Sequence, residues 1–443
     1  MSRSLAILIP IFQAHFLYTT AYIPFPDTPQ RLPTFKPSYD MFNSSIIMPC
    51  NYTGPFDLEY STKWGIADID WSNSKKQWVQ KQPMESQEEL VTAATAIHAK
   101  SSKTKVWIYR NLAWAPSWFT DVREKILSNP DWFIKFKKDP PYNNTKCTFD
   151  KCSDLFHSQF QTPEYRSHSV DSGSCDEHHC DCGETIPCGW YLWNHTHPDC
   201  REWLVKEHMM GHTAMGNDAI QGVFIDDVWD ENGPELEGPG SEWAVHDTGM
   251  TSQQVVEMQT DWRKTMDAAN NAVIDAGGYT WRLFYNNWTC ANAPFKKHEC
   301  EEYMNLACSP EAPLEKNALF YGFSGMTGCS PDQDGNLVID SSAHQYQHPH
   351  LNPMPPGHDP IIDKIQHLAS FLLIRGPYAW IGWAWLGCGN FPYRPKELDV
   401  DYGVPLGTCK KLEGEDGVFV REYTKSSIRV ECKKWEASII LKK

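Results

Sequence analysis

The sequence predicts an α/β protein, a (β/α)8 TIM-like barrel with a disulfide-rich insertion and a small C-terminal antiparallel β module. Strand-like apolar runs alternate with helix-like segments between residues 55 and 395, which is typical of a parallel sheet covered by helices. After residue 400 short alternating strands replace this rhythm. The 443 residues are enough for a barrel of ordinary size and one further module.

Seven apolar runs are the candidate barrel strands, and segments with helical spacing lie between them. The predicted strands are 64–71, 105–111, 190–194, 223–225, 281–287, 318–323 and 378–383, and the predicted helices are 86–100, 118–127, 200–210, 250–276 and 361–374. An eighth strand has no clear apolar run, so we place it in the irregular region 325–360. Three short strands over 417–423, 427–432 and 437–442 predict the β module, which we assign to 400–443.

The first 54 residues precede the predicted barrel. Residues 1–21 combine a basic Arg3, an apolar run and small residues near Ala21, which is the pattern of a secretory signal peptide. The apolar run is too short to span a bilayer. Residues 22–54 are rich in proline and predict a lead-in segment before a barrel over 55–395. We therefore expect a secreted protein with no membrane span in the mature chain.

The cysteines and glycosylation sequons agree with export. The chain has 15 cysteines, which in an exported protein predict disulfide bonds and leave at least one thiol unpaired or bonded to another chain. Six lie in 138–188, a stretch poor in apolar runs, and we expect them to pair mainly among themselves and with Cys200. These six are Cys147, Cys152, Cys175, Cys180, Cys182 and Cys188. Five Asn-x-Ser/Thr sequons predict a glycoprotein, at Asn43, Asn51, Asn143, Asn194 and Asn287.

Charge and motifs exclude several functional classes. A net charge of −16 makes nucleic acid and anionic membranes poor partners. The sequence has no Gly-x-Ser-x-Gly elbow, Walker loop or Rossmann glycine motif, so a serine hydrolase or nucleotide enzyme has no support, and we expect no cofactor. His178 and His179 lie among cysteines and are possible metal ligands, but disulfides are the stronger interpretation in an exported chain, so we assign no metal.

The strongest catalytic signal is the pair Asp226 and Asp227, which directly follows the apolar run 223–225. Carboxylates at the C-terminal end of a barrel strand lie where such barrels place their chemistry. Two acids beside Trp229 indicate acid/base chemistry on a sugar, whereas the structural alternative is that one of them caps the next helix. Glycoside hydrolysis needs an acid for the leaving oxygen and a second carboxylate as nucleophile or base, and Asp226 is our first choice for the latter.

The second acid has three candidates. Asp68 and Asp70 lie on one face of their predicted strand, so one of them is expected to point into the barrel mouth. Asp227 is the third candidate, although neighbours on a strand point to opposite faces. The structural alternative for Asp68 and Asp70 is a carboxylate paired with Arg110.

Polar and aromatic side chains at the other strand ends form the predicted substrate-binding set. Carboxylates, amides and indoles around one cleft suit a sugar, because indole rings stack on its apolar faces. The set is Tyr109, Arg110, Asn194, Asp199, Trp229, Asn286, Trp383 and Trp385. Asp199 has a second interpretation, which we favour, as the N-cap of the helix that contains Cys200.

Several of these stretches resemble a largely uncharacterised family of secreted glycoside hydrolases from algae and other microbial eukaryotes, and more remotely the endo-α-1,4-polygalactosaminidases. The likeness covers about residues 55–440. It is carried by 222–227, by Trp193-Asn194 with Pro198, by 371–380, and by 401–405 with 417–425. The resemblance implies a barrel in which Asp226 matches the acid after the fourth strand.

The resemblance also implies a second acid, a glutamate near the sixth strand, and here the chain departs from the pattern. The predicted sixth strand, 318–323, offers Tyr321 and Gly322 but no carboxylate, and Glu301 and Glu302 lie well before it. We therefore carry two hypotheses. The first is a secreted glycoside hydrolase that cleaves O-glycosidic bonds of a polysaccharide or oligosaccharide with two carboxylates. The second is a catalytically inactive carbohydrate-binding or cell-wall protein.

Overall fold

Seven parallel strands form the main sheet of the protein. The computed structural model describes residues 31–135, 155, 183–184, 186, 188–226, 248, 250–282, 300–310, 319–322, 329–331, 337–339, 364–383 and 393–443. The predicted signal peptide, most of the predicted insertion 138–188, and the site candidates Asp227, Trp229, Asn286 and Trp385 lie outside these residues.

The strands of the described chain fall into one large sheet and three small ones. In chain order they are β1 (Ser45–Ile47), β2 (Ile66–Ile69), β3 (Lys105–Asn111), β4 (Trp114–Pro116), β5 (Trp190–Leu192), β6 (Gly222–Asp226), β7 (Tyr279–Arg282), β8 (Leu319–Gly322), β9 (Cys329–Pro331), β10 (Leu337–Ile339), β11 (Ala379–Trp383), β12 (Lys410–Lys411), β13 (Val418–Glu422), β14 (Ser426–Glu431) and β15 (Glu436–Leu441).

The helices cover the outer face of the large sheet. They are α1 (Leu58–Ser61), α2 (Lys75–Trp78), α3 (Ser86–Lys100), α4 (Thr120–Ser128), α5 (Pro198–Trp203), α6 (Ser252–Asp275), α7 (Cys300–Ala307) and α8 (Lys364–Ile374), with a π-helical turn at Leu204–Met209 and 3-10 turns at Pro130–Trp132 and Lys396–Asp399. Among the described residues no helix is both long enough and apolar enough to cross a membrane.

The large sheet curls so strongly that side chains on its two edge strands touch. Its strand order is β7-β6-β3-β2-β1-β11-β8, so β7 and β8 are opposite edges. If the sheet were flat, six strand spacings would separate these edges by roughly 29 Å. Instead the rings of Trp281 on β7 and Phe320 on β8 stack with centroids 5.1 Å apart. The seven strands therefore form most of a barrel wall.

Aromatic side chains fill the inside of this curled sheet. The Trp107 ring on β3 lies 6.0 Å from both Phe320 and Trp380, which sit on strands three or four places away. Trp107 also covers Gly222 on the neighbouring strand, where a Cβ atom would lie 2.4 Å from the indole. Strand alternation then assigns every second residue of β3 and β6, counted from Trp107 and Gly222, to this inner face.

The structure corrects one of the predicted barrel strands. The run at 190–194 is not in the barrel, because β5 pairs antiparallel with β4 in a separate two-stranded sheet. Within 325–360, where we placed the eighth strand, the described residues form β9 and β10, which pair with each other, and the rest of that region lies outside the described residues. The additional barrel strand is β1, within the predicted lead-in, which pairs with β2 and β11. The large sheet thus lacks β5 but includes β1, so β6 is still its fourth strand in chain order.

The C-terminal residues form a separate four-stranded antiparallel sheet, β12-β13-β14-β15. Arg421 of this sheet donates to the carbonyl oxygens of Leu372, Leu373 and Arg375 at the end of α8. The Tyr423 hydroxyl donates to the same Leu372 oxygen. These carbonyls have no partner within the helix, so the two side chains stabilise its C-terminal end and attach the module to it.

Disulfide bonds attach the module to a second helix. Cys300 in α7 pairs with Cys432, and Cys308 in the turn after α7 pairs with Cys409. Cys188, in the predicted insertion, is disulfide-bonded, as is Cys50. Cys200 is not, because it is a free, buried thiol, and our expectation that it pairs with the insertion is wrong. Burial raises the pKa of this thiol to about 12, which keeps it protonated and unreactive at neutral pH.

The contact between Trp107 and Gly222 predicts the effect of adding one methyl group. We expect Gly222→Ala to destabilise the protein by about 1–3 kcal/mol, because the indole has no room to move within the packed inner layer. Urea unfolding measures this difference. Gly407→Ala is the matched control, since nothing lies within 4 Å of the added atom there. Equal midpoints for the two variants would contradict the proposed packing.

Candidate active site

Three aspartates lie on the inner face of the sheet toward its C-terminal edge. Asp226 ends β6, shares a face with Gly222, and is partly exposed. Asp68 pairs in register with Trp107, so it shares the inner face, and Asp70 follows two residues later on the same side. Carboxylates in this position face the mouth of the curled sheet, where parallel α/β barrels carry their chemistry.

Asp68 and Asp70 have different surroundings. Asp68 is fully buried, and among the described residues neither of its carboxylate oxygens has a hydrogen-bond partner. Burial, followed by repulsion from Asp70, raises the pKa of Asp68 well above its usual value. Asp70 instead accepts hydrogen bonds from the backbone N–H of Ser72 at 2.9 Å and from its hydroxyl. Such donors favour the ionised form of a carboxylate.

The register relates Asp70 to Asp226 through β3, which lies between their strands. Asp226 pairs with Asn111 of β3, and Ile69 pairs with Ile108 of the same strand. Asp70, the residue after Ile69, is therefore level with the residue after Ile108, which lies two residues before Asn111. Asp70 is thus two residues behind Asp226 in register. A barrel of eight strands with shear eight staggers each strand by about one residue relative to its neighbour. Strand β3 lies between β2 and β6, so the path from β2 to β6 takes two such staggers. Together they offset the two-residue difference in register between Asp70 and Asp226.

The strand ends show that the stagger runs in this direction. Strand β1 ends at Ile47, which is level with Ala67 and, through β2, with Val106. Strand β3 continues five residues beyond Val106, to Asn111. In a closed barrel with this stagger, Asp70 and Asp226 would belong to one layer of alternate strands, and Asp68 would lie one layer deeper.

Asn111 is a site residue that our predicted set omits. It is the register partner of Asp226, lies on the same face, and is fully buried. Its amide nitrogen donates to the Tyr109 hydroxyl, and its oxygen accepts from the backbone N–H groups of Ala113 and Trp114. The sequence signal was strand alternation, because Asn111 shares a face with Tyr109 whereas Arg110 does not.

Arg110 lies on the outer face of the sheet, which corrects two expectations. Its guanidinium donates to the carbonyl oxygens of His208, Thr213 and Tyr109 and is completely buried. It therefore neither pairs with Asp68 nor reaches the barrel mouth. Burial lowers the pKa of Arg110 to about 10, although Asp121 and Glu88 act in the opposite direction.

The remaining described candidates lie away from the inner face. The Asn194 oxygen accepts from the backbone and hydroxyl of Thr196 within a turn. Asp199 is exposed in the first turn of α5, but it is not the cap, because the N-cap position is His197. On β11 the residues Trp380 and Gly382 are on the inner face, so strand alternation places Trp383 on the outer face. Its indole donates to the carbonyl oxygen of Tyr393.

Glu301 does not supply the missing second acid. It lies in α7, and its carboxylate forms a 2.9 Å ion pair with Lys411 of the C-terminal sheet. Asp70 is therefore the described carboxylate whose layer would match that of Asp226 in a closed barrel. Within the part of the chain that the structure describes, no group of three or more His, Cys, Asp or Glu side chains is arranged to hold a metal ion.

His195 holds the loop that follows β3. Its Nε2 lies 2.6 Å from the carbonyl oxygen of Leu112, and its Nδ1 lies 3.1 Å from the Thr265 hydroxyl on α6. Because a carbonyl oxygen only accepts, Nε2 carries the hydrogen of the neutral ring. Burial lowers the pKa of His195 to about 4. A neutral imidazole thus fixes the residue next to Asn111 at the barrel mouth.

Comparisons with known proteins give no family for the chain. No family model and no curated protein matches it. Among solved structures, it is similar to sucrose 6F-phosphate phosphorylase from Thermoanaerobacter thermosaccharolyticum, at 11% identity and a TM-score of 0.46, with 90% of this chain and 95% of that chain covered.

Two further solved structures are carbohydrate enzymes by name. They are the cyclic α-maltosyl-(1→6)-maltose hydrolase from Arthrobacter globiformis, at 9% identity, TM-score 0.38 and 95% coverage of both chains, and a Nostoc punctiforme debranching enzyme, at 12% identity, TM-score 0.34 and coverage of 84% and 76%. Likenesses this weak carry no argument about activity. The description of the site therefore rests on strand pairing, burial and hydrogen bonds.

The depressed pKa of His195 predicts a loss of stability in acid. The unfolded ring titrates near 6.5 and the folded ring near 4, so the stabilisation is complete above pH 6.5 and is lost as the pH falls toward 4. The loss amounts to about 3 kcal/mol. In urea unfolding between pH 7 and pH 4, we expect His195→Gln to show a shallower fall than the wild type. The exposed His212→Gln is the control, and equal slopes for all three proteins would refute the assignment.

Proposed function

We propose that this chain is a secreted glycoside hydrolase that cleaves O-glycosidic bonds of a polysaccharide with two carboxylates. The observation that carries the proposal is that Asp226 ends β6 and Asp70 directly follows β2, both at the C-terminal edge of one curled parallel sheet. Two carboxylates facing one cleft are the minimum that glycoside hydrolysis requires. Asn111, the register partner of Asp226 on the neighbouring strand, adds an amide beside it.

The two carboxylates take complementary roles in this proposal. Asp226 is the nucleophile or the base that activates water, and Asp70 delivers the proton to the leaving oxygen. The separation of the carboxyl groups decides the stereochemistry. A gap of about 5–5.5 Å gives retention, because the carboxylate attacks the sugar directly, and about 6.5–9.5 Å gives inversion, because a water molecule fits between them.

The complete barrel is part of the same proposal. The contact between Trp281 and Phe320 brings side chains of the two edge strands together, and one further strand between β7 and β8 would close the wall. The insertion 138–188 then follows the third strand, and the four-stranded sheet forms the C-terminal module. The disulfides Cys300–Cys432 and Cys308–Cys409 support secretion, because such bonds persist in oxidising compartments.

The alternative function is a carbohydrate-binding protein without catalytic activity. It is favoured by the predicted sixth strand, which carries no carboxylate, and by the ion pair that engages Glu301 with Lys411. The two functions differ in one measurement, the release of reducing sugar from a panel of algal, fungal and bacterial polysaccharides. Binding without release by the wild type would establish the alternative.

Replacement of Asp226 tests the proposed chemistry. We expect Asp226→Asn to lower the rate of reducing-sugar release by a factor of about 10² to 10⁴ or more, because the amide neither attacks carbon nor accepts a proton. Sugar binding and the unfolding midpoint should change little. Asp199→Asn is the matched control, since Asp199 is exposed in the first turn of a helix. An Asp226→Asn enzyme with wild-type turnover would exclude Asp226 as a catalytic residue.

A further inference from the structure

The buried carboxyl group of Asp68 has surroundings unlike those of a structural carboxylate. A buried carboxylate normally accepts several hydrogen bonds, because an ionised group without them is costly. Among the described residues Asp68 accepts none, although it is fully buried on the inner face. The indole N–H of its register partner, Trp107, is also without a partner there. An ionised Asp68 would have no compensation in this position.

The groups that face Asp68 explain why ionisation is unfavourable. Along its own strand the facing acid is Asp70, which accepts hydrogen bonds from the N–H and the hydroxyl of Ser72. Strand β3 presents Trp107, the phenol of Tyr109 and, at its opposite end, Lys105. The Lys105 ammonium lies 3.3 Å from the centroid of the Phe35 ring and not at the level of Asp68.

Among the described residues, the other strands of the inner face contribute no cation. Strand β1 contributes Ile46, β11 contributes Trp380 and Gly382, and the edge strands contribute Tyr279, Trp281 and Phe320. The one further acid described on this face is Asp226. The charges near Asp68 are therefore negative, and each of them favours a neutral carboxyl group.

We propose that Asp68 is a proton-holding residue: it stays a neutral carboxylic acid at neutral pH, and together with Asp70 it forms a pair that carries a single negative charge. This inference deepens the proposed function, on which its catalytic consequence rests. Two neighbouring carboxyl groups in a buried site cannot both ionise cheaply, so one of them keeps its proton. The protonation state itself does not depend on any activity.

In the hydrolytic reaction, the one proton of this pair is the proton that reaches the leaving oxygen. When Asp70 holds this proton, Asp70 delivers it as the glycosidic C–O bond breaks. The water that adds to the sugar carbon loses one proton, and this proton returns to the pair through the carboxylate side and solvent. One proton is delivered and one is regained in each turnover, so the pair ends with its original single charge.

Infrared spectroscopy of the full chain, labelled with ¹³C-carboxyl aspartate, tests the protonation state. We expect a carbonyl band of a protonated aspartic acid at pH 7 in the wild type and its loss in Asp68→Asn. In Asp70→Asn the band should remain and titrate at a lower pH, because the repulsion from Asp70 is gone. A wild type without the band, or a band that survives Asp68→Asn, overturns the proposal.

The Asp70→Asn measurement keeps the test valid if Asp68→Asn does not fold. An unchanged titration midpoint in Asp70→Asn would overturn the pairing of the two residues. In the activity arm, Asp68→Asn should move the alkaline limb of the pH–rate profile down by about one unit, whereas a purely structural role would lower the rate equally at every pH. If the wild type releases no sugar, the proposed hydrolase fails, and the infrared bands still decide the state of Asp68.

Discussion

The filling of the curled sheet by aromatic rings is the constraint on which the rest of the structure depends. Trp107 reaches strands on the far side of the wall because Gly222 leaves room for its indole. The stacked rings of Trp281 and Phe320 then join side chains of the two edge strands. With this layer occupied, the inner face is a packed core rather than a pore, and polar chemistry is confined to its C-terminal edge.

Hydrogen bonds around the end of α8 connect the segment before β1 with the C-terminal sheet. Arg375, directly after α8, donates to the backbone of Ser38 and Tyr39 ahead of β1, while Arg421 and Tyr423 bind the end of α8 from the C-terminal sheet. These residues come from the two segments, 371–380 and 417–425, that carry much of the resemblance to secreted hydrolases. Their chemistry is structural, because each of these donors satisfies a backbone carbonyl.

The acids of the inner face show how position separates identical side chains. Asp70 sits where the chain turns, and the N–H and hydroxyl of Ser72 stabilise its anion. Asp68, two residues earlier, is buried without donors, so its pKa rises and the neutral form is favoured. A pair of carboxyl groups with different proton affinities is what general acid catalysis on a sugar needs.

The sequence alone determined the α/β class, most of the helices, the strands β2, β3, β6 and β11, and the face shared by Asp68 and Asp70, because apolar period and strand alternation are local properties. It did not reveal β1, whose three residues, Ser45–Ile47, follow a proline-rich stretch and become a strand only between β2 and β11. It also placed β5 in the barrel, since a short apolar run does not say which strand it pairs with. The outward direction of Arg110, the partnership of Asn111 with Asp226, and the placement of Asp70 relative to Asp226 were decided by register and curl, which depend on contacts between residues far apart in the chain.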